Sequence, residues 1–432
     1  MYDRIAALVG WAVLALAVAV PASAAPGGQA PPAPAPPAAS PSPRFDPVAA
    51  ADAYLARMSP EQRARSDAYF EGGYWLQLWG FLYGAAVGLL LLATRLSARM
   101  RDLAVRITRV RSVQTAIYWV FYLVVTSIVS FPLTVYAGFV RERAYGLATQ
   151  TFGPWLADQA KGLAIGAVLG GLGIMAIYAV IRHAPRTWWL WGSGVAVAFL
   201  VIGMAIAPVF IEPMFNTYTP LKDEAIRGPI LRMARANGVP ATDVFVVDAS
   251  RQTTRVSANV SGFLGSERIA LNDNLLKRCS LPEIESVMAH EMGHYVLHHV
   301  YTGILQFGLV IVVGFAFLRW AFDRVSGRWG ARWGIGGVGD VAGLPLLALL
   351  LAVFFFVATP VTNTIIRTQE IEADIFGLNA ARQPDGEAEV DLKLGEYRKM
   401  NPGPLEEFVF FDHPSGYHRI LMAMRWKAEN PR

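Results

Sequence analysis

Long apolar stretches alternate with short polar ones along most of this chain. Six of the apolar stretches are long enough to cross the ~30 Å hydrocarbon core of a bilayer as helices. They lie at residues 74–94, 114–138, 162–182, 188–211, 300–320 and 342–365. Two polar regions, 212–299 and 366–432, stand apart from them. The pattern therefore predicts a mainly α, polytopic membrane protein with about six transmembrane helices and a polar domain built from two separate parts of the chain.

The N-terminal residues have a different pattern. Arg4 precedes a short apolar run from Ile5 to Val20, which is followed by a small-residue Ala-Ser-Ala sequence. This arrangement predicts a secretory signal peptide at residues 1–24, with an uncleaved membrane anchor as the alternative. The Ala/Pro-rich residues 25–44 are expected to form an extended linker. Residues 45–73 have helical spacing and mixed charge, so we expect one or two helices there, outside the bilayer.

The polar region 212–299 has the periodicities of a small α/β domain. The predicted elements are an amphipathic helix at 220–237 and strands at Val244–Asp248, Arg255–Phe263 and Arg268–Leu271. Residues 257–262 (SANVSG) are a candidate edge strand to which the backbone of an extended peptide could pair. A purely structural hairpin is the alternative. Between the last two spans, the Gly-rich residues 327–341 are expected to form a loop with tryptophans at the membrane interface.

Composition supports the membrane prediction and narrows the chemistry. Hydrophobic residues make up 54% of the 432 residues, charged residues make up 16%, and the mean hydropathy is +0.36. This is too apolar for an ordinary soluble protein. Cys279 is the only cysteine, so a metal site must use histidine and carboxylate ligands. The formal charge of +5 comes largely from arginines beside apolar segments, so we expect a lipid bilayer as a partner and no nucleic acid.

The arginines also predict an orientation in the membrane. The loops 95–113, 182–187 and 319–332 together carry twelve arginines, whereas the loop 139–161 on the opposite side carries three lysines and arginines. Because positively charged loops stay in the cytoplasm, the first set is expected to be cytoplasmic. The polar domain would then face the periplasm of a bacterial inner membrane, or the lumen in a eukaryotic source.

The most specific motif of the chain is H-E-x-x-H, formed by His290, Glu291 and His294. On a helix, positions i and i+4 lie on the same face, so the two imidazoles can bind one metal ion. Glu291 lies beside them, in the position of a general base that activates water. The motif predicts a zinc site with one Zn²⁺ per chain. The alternative is a chance match on an ordinary core helix.

A third ligand is expected after the last span, where the sequence RTQEIEADIFG offers three carboxylates. Glu370 and Asp374 are four residues apart and share a helix face, whereas Glu372 points roughly 200° away from Glu370. We therefore predict Glu370 as the third zinc ligand and Asp374 as a residue that orients a ligand histidine or an arginine. A solvated acidic helix is the alternative.

With these motifs in place, the chain resembles the membrane-embedded zinc metalloproteases of the CAAX prenyl protease type. The bacterial heat-shock membrane protease is a more distant relative. The E-x-x-A-D pattern at Glu370 to Asp374 and the later His299 match the family motif, and further family-like stretches lie at 131–146, 208–223, 268–276 and 412–419. The resemblance implies a bacterial member with a zincin-like α/β metalloprotease domain at the membrane boundary. It also implies that His413 helps to stabilise the oxyanion and that Arg419 pairs with Asp374 or with the substrate carbonyl.

These observations predict a zinc-dependent endopeptidase that cleaves membrane or exported polypeptides in an extended form. A metal-dependent transporter or channel and a non-catalytic zinc-binding scaffold are the alternatives, and the oligomeric state is left open. The expected domains are a signal peptide (1–24), a linker (25–44), a helical region with four spans (45–211), the metalloprotease domain with the H-E-x-x-H helix (212–299), two further spans (300–365) and the remainder of the protease domain (366–432).

Overall fold

The structure, a computed structural model, describes residues 45–261 and 268–431. The expected signal peptide (1–24) and linker (25–44) lie outside the described residues. The described chain begins with α1, Pro47–Leu55, and α2, Pro60–Ala93. The Asp46 side chain accepts hydrogen bonds at the start of α1, and Ser59 forms a capping box at the start of α2. These caps satisfy backbone N–H groups that have no partner within the helix.

The helix α2 does not end where its sequence changes from polar to apolar. It is 34 residues long, which corresponds to about 51 Å. The sequence predicted one or two helices over residues 45–73 and a first span at 74–94. The structure has α1 in the first part of this region, and α2 then continues without a break through the rest of it and through the first span. The reason is that no proline or cap interrupts the helical spacing after Pro60.

The six predicted spans are confirmed as long apolar helices. After α2 comes a short helix, α3, Leu96–Ile107. The next long helices are α4, Arg111–Ala144, α5, Phe152–His183, and α6, Trp188–Met214. The small domain then follows, and its elements are β1 (Tyr218–Pro220), α7 (Glu224–Ala236), β2 (Val244–Val247), β3 (Ala258–Ser261), β4 (Arg268–Asn272), α8 (Asp273–Arg278) and α9 (Leu281–Val296). The last long helices are α10, His299–Trp333, and α11, Val341–Ala381. The chain ends with α12 (Pro384–Leu394), α13 (Pro404–Phe410) and α14 (Gly416–Glu429).

The arginine-rich loops meet at one end of the long helices. Arg95 Nε–H donates to the carbonyl oxygen of Arg332 (2.8 Å), and Arg101 forms an ion pair with Asp340. The prediction of a loop over 327–341 is wrong in its first half, because α10 continues to Trp333. Gly334, with φ of 74°, ends that helix in the left-handed conformation that glycine adopts without strain.

The small sheet has the strand order β1-β2-β4-β3. The central pair β2 and β4 is parallel, and the two outer pairs are antiparallel. The sequence pattern predicted the last three strands but missed β1, whose three residues are too few to show an alternating pattern. Among the described residues, β3 has a strand partner on one side only. This leaves β3 as the edge strand beside the site described next.

Candidate active site

The H-E-x-x-H motif lies on α9, which begins with a capping box. The backbone N–H of Ser280 donates to the Glu283 carboxylate (2.6 Å), and this contact fixes the first turn. One face of α9, including Met288 and Met292, is fully buried in the core of the small domain. The opposite face, which carries the two histidines, is thereby turned towards α11.

Two glycines allow α9 and α11 to approach closely. A Cβ atom on Gly293 would lie 3.2 Å from the Ala373 Cα, and one on Gly377 would lie 3.1 Å from the backbone nitrogen of His290. Both distances are shorter than ordinary packing contacts, so larger residues would force the helices apart. The close packing brings the two histidines of one helix to the carboxylates of the other.

The three predicted ligands form a tight cluster. His290 Nε2 lies 3.2 Å from His294 Nε2 and 3.2 Å from Glu370 Oε2, and His294 Nε2 lies 3.4 Å from Glu370 Oε1. A zinc–ligand distance of about 2.0–2.1 Å places the corners of a tetrahedral site about 3.3–3.4 Å apart. The spacing of these donor atoms therefore fits one zinc ion.

An unpartnered oxygen points to the same conclusion. Glu370 Oε2 is buried and accepts no hydrogen bond from the residues that the structure describes. His413 Nε2 lies 3.2 Å from this oxygen, but not in the geometry of a hydrogen bond. A buried carboxylate oxygen without a donor is costly unless a cation binds it. The donor set of two imidazoles and one carboxylate is typical of a catalytic zinc site.

A buried carboxylate orients His290. Its Nδ1 lies 2.7 Å from Asp374 Oδ1, so Nδ1–H donates and the lone pair of Nε2 faces the other ligands. Asp374 is held in turn by Arg419, whose Nε–H donates to Asp374 Oδ2 (2.9 Å). The Arg419 guanidinium also contacts Glu387 (3.2 Å) and Asp391 (3.1 Å). All four side chains of this cluster are buried. Arg419 is a positioning residue because it acts on His290 through Asp374.

A different partner orients His294. Its Nδ1 lies 2.9 Å from the Nδ1 of His299, and His299 Nε2 lies 3.1 Å from the Glu372 carboxylate. If His294 offers Nε2 to a metal, its Nδ1–H donates to His299, which then donates its Nε2–H to Glu372. His299 matches the family motif, but the sequence did not identify it as the partner that orients His294. The sequence did contain one indication of this role. Glu372 was predicted to point away from Glu370, and the structure shows that its carboxylate contacts His299.

The charges around the motif favour a cation. Burial lowers the pKa of His290, but its contacts with Asp374 and Glu370 outweigh burial and raise that pKa to about 10. Burial and the neighbouring His290 lower the pKa of His294 to about 4, which keeps its Nε2 free of a proton. Burial raises the pKa of Glu291 to about 7, in the range suited to a general base. Asp374 and Glu370 therefore stabilise positive charge at His290, which a metal ion can supply in place of a proton, and Glu291 is available as a proton acceptor.

A cavity of about 250 Å³ opens beside these groups. Glu291, Glu370 and His413 lie on its wall, and Ser257 and Ala258 at the start of the edge strand lie on it as well. His413 Nδ1 lies 2.9 Å from the Asp412 carboxylate, which orients the ring. The structure thus brings together every residue that the sequence singled out for the site, with the buried Arg419 also on the cavity wall.

This fold and this site define a membrane-embedded metalloprotease. A family model described as the CAAX prenyl protease N-terminal region with five membrane helices matches residues 49–217, and the model of peptidase family M48 matches residues 220–427. Within the first range the structure has four of the long helices, α2, α4, α5 and α6. The chain belongs to peptidase family M48, as the resemblance predicted.

Individual relatives agree with the family assignment. The uncharacterized metalloprotease YhfN of Bacillus subtilis is 30% identical over 86% of this chain and 87% of its own. The CAAX prenyl protease 1 homolog of Oryza sativa is 29% identical over 68% of this chain and 69% of its own. The crystal structure of Ste24p from S. mikatae superposes with a TM-score of 0.71 at 23% identity and covers 85% of this chain and 89% of that chain. These matches confirm a polytopic, mainly helical integral membrane metalloprotease.

Proposed function

We propose that the protein is a zinc-dependent endopeptidase that hydrolyses peptide bonds of membrane or exported polypeptides. His290, His294 and Glu370 would hold the zinc ion. The observation that carries the proposal is the triangle of donor atoms, 3.2–3.4 Å apart, with Glu291 next to it on a cavity wall. A structural zinc site has no need of an open cavity or of a proton acceptor beside the metal.

The residues around the cavity would have different roles in hydrolysis. Zinc bound at such a site would act as a Lewis acid and would lower the pKa of bound water to about 7. Glu291 accepts the proton of the attacking water and then passes it to the nitrogen of the leaving amine. In its imidazolium form His413 can donate Nε2–H to the carbonyl oxygen as that oxygen gains negative charge.

The edge strand provides a place for the substrate backbone. β3 has a free side among the described residues, and Ser257 and Ala258 at its start lie on the cavity wall. A peptide that pairs with this edge is extended and presents its carbonyl groups at regular spacing. We therefore infer that the substrate binds as an extended segment and that folded proteins are excluded.

The substitution Glu291→Gln tests the proposal, because it removes the proton acceptor and keeps the size and polarity of the side chain. The variant should retain one zinc per chain while its rate of cleavage of an unfolded membrane-protein substrate falls by about 10²–10⁴. Equal cleavage by both forms would refute the mechanism. Absence of cleavage by the wild type, with zinc bound, would favour the scaffold alternative.

We also propose that the metal site faces the periplasm of a bacterial inner membrane. The contacts of Arg95 with Arg332 and of Arg101 with Asp340 support this, because they join the arginine-rich loops at one end of the long helices. At the opposite end of α2, the Ser66 hydroxyl contacts the backbone of Arg398 beside the active-site cavity. Reporter fusions in the loop 95–113 should behave as cytoplasmic and fusions at the C-terminus as periplasmic. A cytoplasmic C-terminus would reverse the orientation.

A further inference from the structure

Two guanidinium groups lie on the wall of the active-site cavity, and they differ in their partners. Arg419 is fully engaged by the carboxylates of Asp374, Glu387 and Asp391. Arg398 forms no ion pair within 4.0 Å and no side-chain hydrogen bond with any residue in the ranges 45–261 and 268–431. The guanidinium of Arg419 is therefore already paired with carboxylates of the protein, whereas that of Arg398 is available to bind an anion in the cavity.

The absence of an ion pair within 4.0 Å, among the residues that the structure describes, sets Arg398 apart from its neighbours Glu396 and Lys399. Glu396 pairs with Arg278 (2.6 Å), and Lys399 pairs with Glu71 (2.6 Å). The backbone of Arg398 is anchored, because its carbonyl oxygen accepts a hydrogen bond from the Ser66 hydroxyl (2.9 Å). The segment is thus fixed by contacts on both sides, while the half-buried guanidinium between them faces the cavity.

The charge of Arg398 affects Asp412, which lies next to His413 on the catalytic side of the cavity. Burial raises the pKa of Asp412, but its contact with His413 and the charge of Arg398 lower it by a larger amount. Arg398 therefore acts on the residue that orients His413. The cavity of about 250 Å³ is small, and each residue of an extended peptide spans about 3.3–3.6 Å. A group bound to Arg398 would then lie within about two residues of the scissile bond.

We propose that Arg398 forms a carboxylate-binding subsite of this cavity, so that the enzyme prefers substrates with a carboxylate within about two residues of the cleaved bond. The carboxylate is either an acidic side chain or the C-terminal carboxylate of the substrate. A guanidinium group matches a carboxylate with two parallel hydrogen bonds, and partial burial protects the pair from solvent screening. This inference names a substrate class for the proposed peptidase and rests on that function.

Binding is measured with the zinc-loaded Glu291→Gln protein in detergent, so that the result does not depend on turnover. The probes are fluorescent peptides in matched pairs. One set carries Glu or Gln at successive positions around a central bond, and the other has a free or an amidated C-terminus. Carboxylate peptides should bind about 10- to 100-fold more tightly than their neutral partners. The set that shows the preference identifies the source of the carboxylate.

Arg398→Gln, made in the same background, should abolish this preference and change the affinity for neutral peptides by less than about twofold. Arg398→Glu should reverse it in favour of peptides with Lys in place of Glu. The matched control is Arg232→Gln, which removes an exposed arginine of α7 that does not lie on the cavity wall. It should keep the full preference, and zinc content should be equal in all forms.

The outcomes separate this inference from the proposed function. Equal affinity for carboxylate and neutral peptides in the Glu291→Gln protein would overturn the subsite, even if the wild type is an active, Glu291-dependent peptidase. Equal weakening of both kinds of peptide by Arg398→Gln would overturn it too, because that result indicates a structural role. If the preference is present and depends on Arg398 but the wild type hydrolyses nothing, the subsite stands and the peptidase proposal fails.

Discussion

The two histidines of the motif are held in place by two different kinds of partner. His290 donates to Asp374, which belongs to a buried cluster with Arg419, Glu387 and Asp391. His294 contacts His299, which leads to Glu372 at the surface, where 56% of that side chain is exposed. One orienting network is closed and charged, and the other is short and open to solvent.

The two networks should therefore affect different properties: the closed network the stability of the fold, and the open network mainly the geometry of the metal site. The closed cluster joins α11, α12 and α14, so its charges position His290 and also hold three helices together. The open network joins α9 to the start of α10 and to Glu372 on α11. Since water can replace its outermost member, we expect the open network to affect metal binding and to contribute little to global stability.

The largest expected effect is that of Arg419→Ala. It leaves three buried carboxylates without their cation, and breaking a buried ion pair in this way costs about 3–5 kcal/mol of unfolding free energy. Denaturation in detergent, followed by circular dichroism, measures the loss. The matched control is Arg425→Ala, which removes an exposed arginine from the same helix. Similar denaturation curves for the two variants would contradict the role of the closed cluster.

His299→Ala should have a smaller and more local effect. Without its acceptor, His294 Nδ1–H loses the contact that orients the ring, and such losses typically weaken metal binding about 10- to 100-fold. Competition with a zinc chelator measures the change, and the denaturation midpoint of the metal-free protein should move little. His299→Gln should restore part of the affinity because the amide oxygen can accept the same hydrogen bond.

The control for this variant is His183→Ala, which removes a histidine at the arginine-rich end of α5. Its zinc affinity should equal that of the wild type. If His299→Ala binds zinc as tightly as this control, the contact between the two histidines does not orient the ligand.

Glu372→Gln should have the smallest effect. The carboxylate is more than half exposed, and exposed ion pairs contribute only about 0.2–1 kcal/mol. Zinc affinity should therefore fall less than about fivefold. An effect as large as that of His299→Ala would show that the charge of Glu372, and not the hydrogen bond of His299, controls the ring.

Local periodicity predicted much of this structure. Apolar stretches long enough to span a bilayer indicated the six long helices, and these are confirmed. The same reasoning missed the full length of α2, α10 and α11, because hydropathy marks only the apolar part of a helix. Helical spacing also separated Glu370 and Asp374 from Glu372, and the structure places the first two towards α9 and the third towards His299.

Contacts between distant segments were harder to predict. Glu387 and Asp391 are four residues apart on α12, a spacing that is common on solvated helices, and their burial depends on Arg419 from another helix. The position of Arg398 on the cavity wall likewise depends on a contact between the segment that follows α12 and Ser66 of α2. Local sequence patterns do not predict such contacts, because neither partner stands out from the residues around it in the sequence.

The central claim is that His290, His294 and Glu370 hold one catalytic zinc ion. Its most direct test is the zinc content of the purified wild type and of two variants of the same helix, Glu370→Ala and Glu372→Ala. The wild type and Glu372→Ala should each contain one zinc per chain, because Glu372 faces away from the ligand triangle. Glu370→Ala should lose the metal. Zinc retained by Glu370→Ala and lost from Glu372→Ala would contradict the assignment.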